Sequence, residues 1–162
     1  GLGVPSSGLH ANGYSLVRRV CGIDEDPSVL DVKHEELGST LGEALLAPHR
    51  SYVKALTPAL DRIKGMAHIT GGGFPENVPR MLPEGLAARL LGESWEVPPL
   101  FRLIQRTGSI GEDEMHRVFN MGVGMIVAVA PEDVAGVRAD VPEAFVVGEA
   151  ADAAGGALVT IS

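Results

Sequence analysis

Glycine and proline interrupt this chain so often that turns must dominate any fold it adopts. The 162 residues include 21 glycines and 11 prolines, but no heptad pattern, no Gly-X-Y period and no internal repeat. A coiled coil, a collagen-like helix and a repeat solenoid are excluded, because each requires such a period. Hydrophobic residues make up 45% of the chain and charged residues 21%, the balance of an ordinary globular protein. We expect one domain.

Short apolar stretches between the turns predict both helices and strands. The strongest strand is expected over 121–129, a nearly continuous apolar run. Further strands are predicted over 52–56, 66–70, 145–148 and 157–161, helices over 13–20, 40–46, 58–64, 99–107, 112–119 and 131–137, a helical turn over 75–78, a loop over 23–39, and either a strand or a helix over 86–91. Because helices and strands do not alternate regularly, the expected fold class is α+β, with a single mixed β-sheet covered by α-helices.

The charge of the chain is unevenly distributed. The net charge is −8, of which residues 1–106 carry −1 and residues 107–162 carry −7. Such a chain lacks the basic footprint of a general nucleic-acid-binding protein. A site for an anion such as a phosphate is expected in the first two thirds. The lone cysteine, Cys21, excludes an internal disulfide and predicts a reducing, cytoplasmic location.

Polar side chains crowd into a glycine-bounded loop just before the helix predicted over 13–20. This first segment, residues 5–16, contains the candidate binding residues Ser6, Ser7, Gly8 and Asn12 and the candidate catalytic residue His10. Free backbone amides at a helix start attract negative charge, and an imidazole that titrates near neutrality can exchange a proton with a ligand. The alternative is that the hydroxyls only shape the turn and Asn12 only caps the helix.

Three consecutive glycines follow the strand predicted over 66–70. This second segment, residues 68–80, contributes the candidate binding residues Gly71, Gly72, Gly73, Asn77 and Arg80. Glycine lets a backbone wrap closely around a ligand, and a guanidinium suits phosphate or carboxylate. The spacing matches neither the GxxxxGK[ST] phosphate loop nor the GxGxxG dinucleotide loop. The alternative is a connector that merely turns tightly.

A third segment, residues 119–125, places Asn120 at the mouth of the strongest strand, where its amide could reach a ligand. Two glycines in this strand indicate close approach of a ligand or of another backbone, or else a bulge. No metal site is expected, because the five histidines show no paired ligand spacing and one cysteine cannot build a zinc site. His68, on an apolar strand, is predicted to lie in the core.

These segments, in this order, resemble the C-terminal half of the phosphoribosylformylglycinamidine cyclo-ligase (aminoimidazole ribonucleotide synthetase) family. The matching stretches are PSSGLHANGYSLVRRV at 5–20, LGEALLAPHRSYVK at 41–54, HITGGGFPENVPRMLP at 68–83 and FNMGVGM at 119–125. The resemblance covers almost the whole chain. Related enzymes share the architecture, among them formylglycinamidine synthetase, selenophosphate synthetase and thiamine-phosphate kinase. The sequence HITGGGFPENVPR favours the cyclo-ligase over these relatives.

The resemblance implies a two-domain, homodimeric enzyme of purine biosynthesis. Such an enzyme uses ATP and Mg²⁺ to close the imidazole ring of formylglycinamidine ribonucleotide, giving aminoimidazole ribonucleotide, ADP and phosphate. ATP and Mg²⁺ would be bound mainly by an N-terminal half. Residues 1–162 are therefore expected to form a single domain, the C-terminal half, that is inactive alone. Its partners would be the substrate, ATP and the N-terminal domain, with neither nucleic acid nor membrane.

The abrupt start at Gly1 is expected for a fragment of a longer polypeptide, although a trimmed tag or an irregular start would look the same. The alternative function is a non-catalytic module that binds a nucleotide-like metabolite. The resemblance places the candidate residues of all three segments in one cleft, with Arg80 suited to a ribonucleotide phosphate and His10 to polar contact or proton transfer.

Overall fold

Strands and helices alternate irregularly along the chain, and the α+β class is confirmed. A computed structural model describes all 162 residues. The strands are β1 (Leu2–Pro5), β2 (Lys33–His34), β3 (Ser39–Thr40), β4 (Ile63–His68), β5 (Leu86–Leu90), β6 (Val123–Val129), β7 (Phe145–Val146), β8 (Gly148–Asp152) and β9 (Val159–Ile161). The helices are α1 (Tyr14–Val20), α2 (Leu41–Leu45), α3 (Val53–Leu56), α4 (Gly73–Asn77), α5 (Pro99–Gly108), α6 (Glu112–Val118) and α7 (Val134–Asp140). Short 3₁₀ turns join several of them.

The strands form three sheets, so the expectation of a single mixed sheet was wrong. The largest has the order β4-β6-β1-β7, and all its pairs are antiparallel. A second sheet, β8-β5-β9, is mixed, because β5 pairs antiparallel with β8 and parallel with β9. The third is the two-residue ribbon β2-β3. Strand β5 belongs to the second sheet because both its partners are the strands β8 and β9, in the last 15 residues of the chain.

Strand β6 organises the largest sheet. Its Ile126 pairs with Gly3 of β1 on one side and with Ala67 of β4 on the other. Since β1 and β4 both run antiparallel to β6, they end at the edge of the sheet where β6 begins. We call this edge the site edge. The three polar segments attach there, because the first follows β1, the second follows β4 and the third leads into β6.

The hydrophobic core lies on both faces of this sheet. Val123 and Ile126 belong to a large cluster that also buries Phe74 and Phe101, whereas Val127 belongs to a smaller cluster on the other face. A strand that is covered on both faces reads as an unbroken apolar run, which is why β6 was the clearest strand in the sequence. None of the seven helices has the length and apolar character needed to cross a bilayer.

Several elements differ from their predictions. Residues 52–56 were predicted as a strand, but Val53–Leu56 form helix α3. Periodicity cannot distinguish a strand from a helix in such a short apolar run. The helix predicted over 58–64 is a 3₁₀ turn over Thr57–Ala59, after which strand β4 begins at Ile63. Strand β1 was not predicted, because it has only four residues and shows itself as a strand only through its pairing with β6 and β7. The ambiguous 86–91 is strand β5.

Candidate functional site

Backbone hydrogen bonds join the three segments at the site edge. The amide of Ser6, in the first segment, donates to the carbonyl of Gly122 in the third at 2.8 Å. The amide of Ile69, in the second, donates to the carbonyl of Gly124 at 2.9 Å. The third segment therefore lies between the other two, and residues more than 100 positions apart share one wall.

Asn120 is the hub of this wall. Its side chain is fully buried, and its Oδ1 accepts from the Oγ of Ser6 at 2.8 Å and from the amide of Gly122 at 2.9 Å. Its Nδ2 donates to the carbonyl of Gly8 at 2.7 Å. Asn120 was predicted to reach a ligand, but these bonds commit it to holding the first segment on the third. A contact between Asn120 and a ligand stays a prediction.

Asn12 bonds the first segment to the last residue of α6, directly before the third segment. Its Nδ2 donates to the carbonyl of Val118 at 2.6 Å, whereas its buried Oδ1 has no hydrogen-bond partner. The predicted helix cap was wrong, because Gly13 is the N-cap of α1 and no side chain caps it. A Cβ on Gly71 would lie 4.0 Å from the Cβ of Asn12, so the second segment meets the first here.

The serines of the first segment are also engaged within the protein. The Oγ of Ser7 donates to the carbonyl of Pro48 at 2.7 Å and accepts from the amide of Arg50 at 3.1 Å. With Ser6 held by Asn120, both hydroxyls shape the loop. This observation favours the structural alternative for the two serines. Together with Gly8 they line a cavity of about 290 Å³ beside residues 98–101.

His10 is the buried polar group at the centre of the site. It is 5% exposed, and its Nδ1 lies 3.2 Å from the carbonyl oxygen of Ile69. A carbonyl can only accept, so we assign the ring proton to Nδ1. The Nε2 lone pair then accepts from the hydroxyl of Tyr52 at 2.9 Å. Burial first, and the neighbouring His49 next, lower the pKa of His10 to about 4. The expectation that it titrates near neutrality was wrong, because burial disfavours the charged ring and moves its titration well below neutral pH.

Three aromatic side chains surround His10, and sequence reasoning gave none of them a role in the site. The ring of His49 stacks on that of His10 with centroids 4.1 Å apart, and the ring of His68 lies 5.1 Å from both. Tyr52 completes the group, with Arg50 over its ring at 5.2 Å. His68 was predicted to be a core residue, but it is exposed at the site edge. Spacing along the chain could not reveal this cluster, because strand pairing creates it.

Gly124 leaves room on strand β6 for two side chains of this cluster. A Cβ on Gly124 would lie 1.7 Å from the Tyr52 hydroxyl and 2.9 Å from the Cε1 of His10. The third segment therefore contains a glycine at the point where the side chains of Tyr52 and His10 pack across strand β6. The close approach that the sequence indicated is to side chains of this protein.

The second segment wraps onto itself and leaves its arginine exposed. Asn77 is 5% exposed, and its Nδ2 donates to the carbonyls of Gly71 at 3.1 Å and Gly73 at 2.7 Å. Gly72, between them, is the N-cap of α4. The side chain of Arg80 is 69% exposed and lies 3.8 Å from the carboxylate of Glu76. Of the candidate binding residues in this segment, only Arg80 offers an exposed charged group to a ligand.

The largest cavity lies elsewhere. It has a volume of about 1200 Å³, and Trp95, Arg102, His116 and the acidic residues 112–114 are among those that line it. None of the candidate residues lines it, although Pro75 and Met121 from the second and third segments do. We place the candidate site at the site edge, because only there do three segments meet around a buried histidine.

The buried state of His10 predicts that acid weakens the fold. Its pKa is about 4 in the folded chain and about 6.5 when unfolded, so the unfolded state binds more protons between these values. In the presence of a chelator, its contribution to the free energy of unfolding should fall by about 3 kcal/mol as the pH drops from 7.5 to 4. Urea titrations at several pH values measure this. His10→Gln should show a shallower slope, and an equal slope would contradict the assignment.

Comparison with known proteins shows which family the chain belongs to. Residues 2–161 match the family model described as AIR synthase related protein, C-terminal domain. Proteins named phosphoribosylformylglycinamidine cyclo-ligase are similar to this chain. The one from Caldicellulosiruptor bescii is 56% identical over 82% of this chain and 40% of its own length. Those from Desulfitobacterium hafniense and Thermoanaerobacter sp. are 49% and 47% identical, covering 91% and 98% of this chain and 44% and 48% of theirs.

This chain therefore spans less than half the length of the curated relatives it matches, and corresponds to their C-terminal part. Among solved structures, thiamine-monophosphate kinase from Stenotrophomonas maltophilia K279a superposes with a TM-score of 0.60 at 13% identity. The superposition covers 99% of this chain and 49% of the kinase chain. At such low identity the likeness supports the fold alone.

Proposed function

We propose that this chain is the C-terminal domain of a phosphoribosylformylglycinamidine cyclo-ligase, because it belongs to the family of AIR synthase related protein C-terminal domains. The full enzyme would convert formylglycinamidine ribonucleotide to aminoimidazole ribonucleotide with ATP, and this domain would supply one wall of the substrate site. The observation that carries the proposal is the meeting of three segments around a buried, neutral His10 at one sheet edge.

His10 is suited to orient the substrate. With its proton held on Nδ1 by the carbonyl of Ile69, the ring directs an Nε2 lone pair towards donors such as the Tyr52 hydroxyl. An amidine N–H of the substrate is a donor of the same kind, and it would take this acceptor once the Tyr52 hydroxyl turns to the carbonyl of Pro5, 3.3 Å away. A base whose pKa is about 4 removes protons poorly at neutral pH, so we assign His10 to hydrogen bonding and not to general-base catalysis.

Arg80 is our choice for the substrate phosphate. Its guanidinium is exposed, and its ion pair with Glu76, at 3.8 Å, is too loose and too solvated to hold it. A planar guanidinium binds phosphate through two parallel hydrogen bonds. The Nη1 of Arg80 donates to the Oδ1 of Asn77 at 3.4 Å. This neutral partner would hold the Arg80 side chain in place without neutralising its charge.

Magnesium does not fit the residues of this wall. Mg²⁺ takes oxygen ligands, mostly carboxylates, phosphates and water. The three segments contain one carboxylate, Glu76, and it lies beside Arg80. We therefore derive no step through Mg²⁺ here, and propose that an N-terminal domain holds it together with most of the ATP.

The proposed partners of the chain are its own N-terminal domain and, in the full-length protein, a second copy in a homodimer. The proposed location is the cytoplasm, for which the free thiol of Cys21 is suited because thiols stay reduced there.

The function is tested by measuring ADP formation that depends on formylglycinamidine ribonucleotide. We expect none from the 162-residue chain, and steady turnover from the full-length enzyme or from the chain mixed with its N-terminal half. Full-length protein that binds the ribonucleotide but forms no ADP would overturn the ligase proposal in favour of a non-catalytic binding module.

Replacing Arg80 with alanine should raise the KM for the ribonucleotide about tenfold to a hundredfold and leave kcat within about threefold, because a phosphate contact far from the closing ring binds substrate and transition state alike. Steady-state kinetics of the full-length enzyme measure both constants. Arg19→Ala, an exposed arginine on α1, is the matched control and should change neither. An unchanged KM for Arg80→Ala would remove this residue from the site.

A further inference from the structure

Three histidines at the site edge lie close enough to share one ion. One ring nitrogen from each of His10, His49 and His68 lies within 4.8 Å of one from each of the others. Three imidazoles without a carboxylate among them form a donor set that suits Zn²⁺, Cu²⁺, Ni²⁺ or Co²⁺, and not Mg²⁺ or Ca²⁺.

Two of the rings already have the separation that a metal requires. The Nε2 atoms of His49 and His68 are 3.2 Å apart. Two nitrogens bound to a tetrahedral Zn²⁺ at about 2.0–2.1 Å are about 3.3 Å from each other. His49 is exposed and its ring is stacked parallel to that of His10, so it must tilt for both rings to face one ion. An exposed side chain can make that adjustment at little cost.

His10 has the surroundings of a metal ligand. Histidines that bind metals usually donate the other ring N–H to a carbonyl or carboxylate, which fixes the tautomer and the ring plane. The Nδ1 of His10 has this contact with the carbonyl of Ile69. The Tyr52 hydroxyl, which now faces Nε2, has a second acceptor in the carbonyl of Pro5 at 3.3 Å. Its hydrogen can turn to that carbonyl and free Nε2 for an ion.

The electrostatic surroundings leave the cluster accessible to a cation. Arg50, which lies over the ring of Tyr52, forms an ion pair with Glu143 that offsets its charge. His49 and His68 lie at the surface, so an ion can enter from solvent without a change in the fold. Three protein ligands leave the fourth position of a tetrahedral ion open to water.

We propose that His10, His49 and His68 form a binding site for a divalent transition-metal ion of the zinc class. The bound ion would take the Nε2 lone pair that the proposed function assigns to the substrate. Zn²⁺ should then compete with formylglycinamidine ribonucleotide. That consequence rests on the proposed function, whereas the binding of the ion does not.

Calorimetric titration of the chelator-stripped 162-residue chain with Zn²⁺ at pH 7.5 tests the site. We expect one ion per chain, and at least about tenfold weaker binding in His49→Gln and in His68→Asn, as for loss of a ligand. His34→Gln, on strand β2, is the control and should bind as the original chain does. His49 is exposed, so its variant should fold normally, which circular dichroism without metal verifies.

Titration with Co²⁺ gives a second readout, because a tetrahedral site of nitrogen ligands absorbs visible light far more strongly than an octahedral surface ion does. Absence of saturable Zn²⁺ binding would overturn the proposal, as would binding that His49→Gln leaves unchanged. If the ion binds but does not compete with the ribonucleotide, the metal site stands and the role of His10 in the proposed function fails.

Discussion

Replacing Asn120 with alanine should lower the free energy of unfolding by about 3 kcal/mol, as expected when a fully buried hydrogen-bonding hub is removed. The variant leaves the amide of Gly122, the carbonyl of Gly8 and the hydroxyl of Ser6 without their partner. Each is then desolvated without compensation. Urea unfolding followed by circular dichroism measures the change.

Ser6→Ala is the matched control for this experiment. It removes one of the three bonds and keeps the other two, so the expected loss is about 1 kcal/mol. If Asn120→Ala cost no more than the control, the hub would contribute nothing and Asn120 would be better assigned to ligand contact. The difference between the variants thus decides whether this residue builds the site or binds within it.

Replacing Gly73 with alanine should cost about 4 kcal/mol or prevent folding, as for the most severe core clashes. A Cβ at this position would lie 1.9 Å from the carbonyl oxygen of His116. That oxygen belongs to the backbone of α6, which cannot yield without moving the helix. The residue also has a φ of +55°, which favours glycine. Thermal and urea unfolding measure the effect.

Gly38→Ala separates the two causes. Gly38 has a similar φ of +66° but nothing within 4 Å of the added Cβ, so only the backbone preference is lost. Its expected cost is about 1 kcal/mol. Equal losses in the two variants would show that α4 and α6 can separate, and that the second segment is not held as described.

The sequence was most informative where several local signals agreed. The apolar run of β6, the glycines of the second segment and the polar loop of the first each marked a part of the site, and the family resemblance placed the three in one cleft. Sheet topology explains why they meet, because β1 and β4 both end where β6 begins. The four residues of β1 gave no such signal, because this strand depends on pairing with neighbours more than 100 positions away.

Side-chain roles were harder to predict than positions. Asn120, Asn12 and the two serines were recognised as polar groups in the right place, but their partners are backbone atoms and side chains distant in sequence. The neutral state of His10 follows from burial, which no motif reports. The pairing of β4 with β6 places His68 in the site, and the chain that leads to Tyr52 places His49 beside it.

Hydrogen–deuterium exchange of the full-length protein, with and without formylglycinamidine ribonucleotide, tests most directly whether the three segments form one binding wall. We predict that the ribonucleotide slows exchange together in residues 5–16, 68–80 and 119–125. Protection confined to residues 92–117, beside the largest cavity, would contradict the account and place the ligand there.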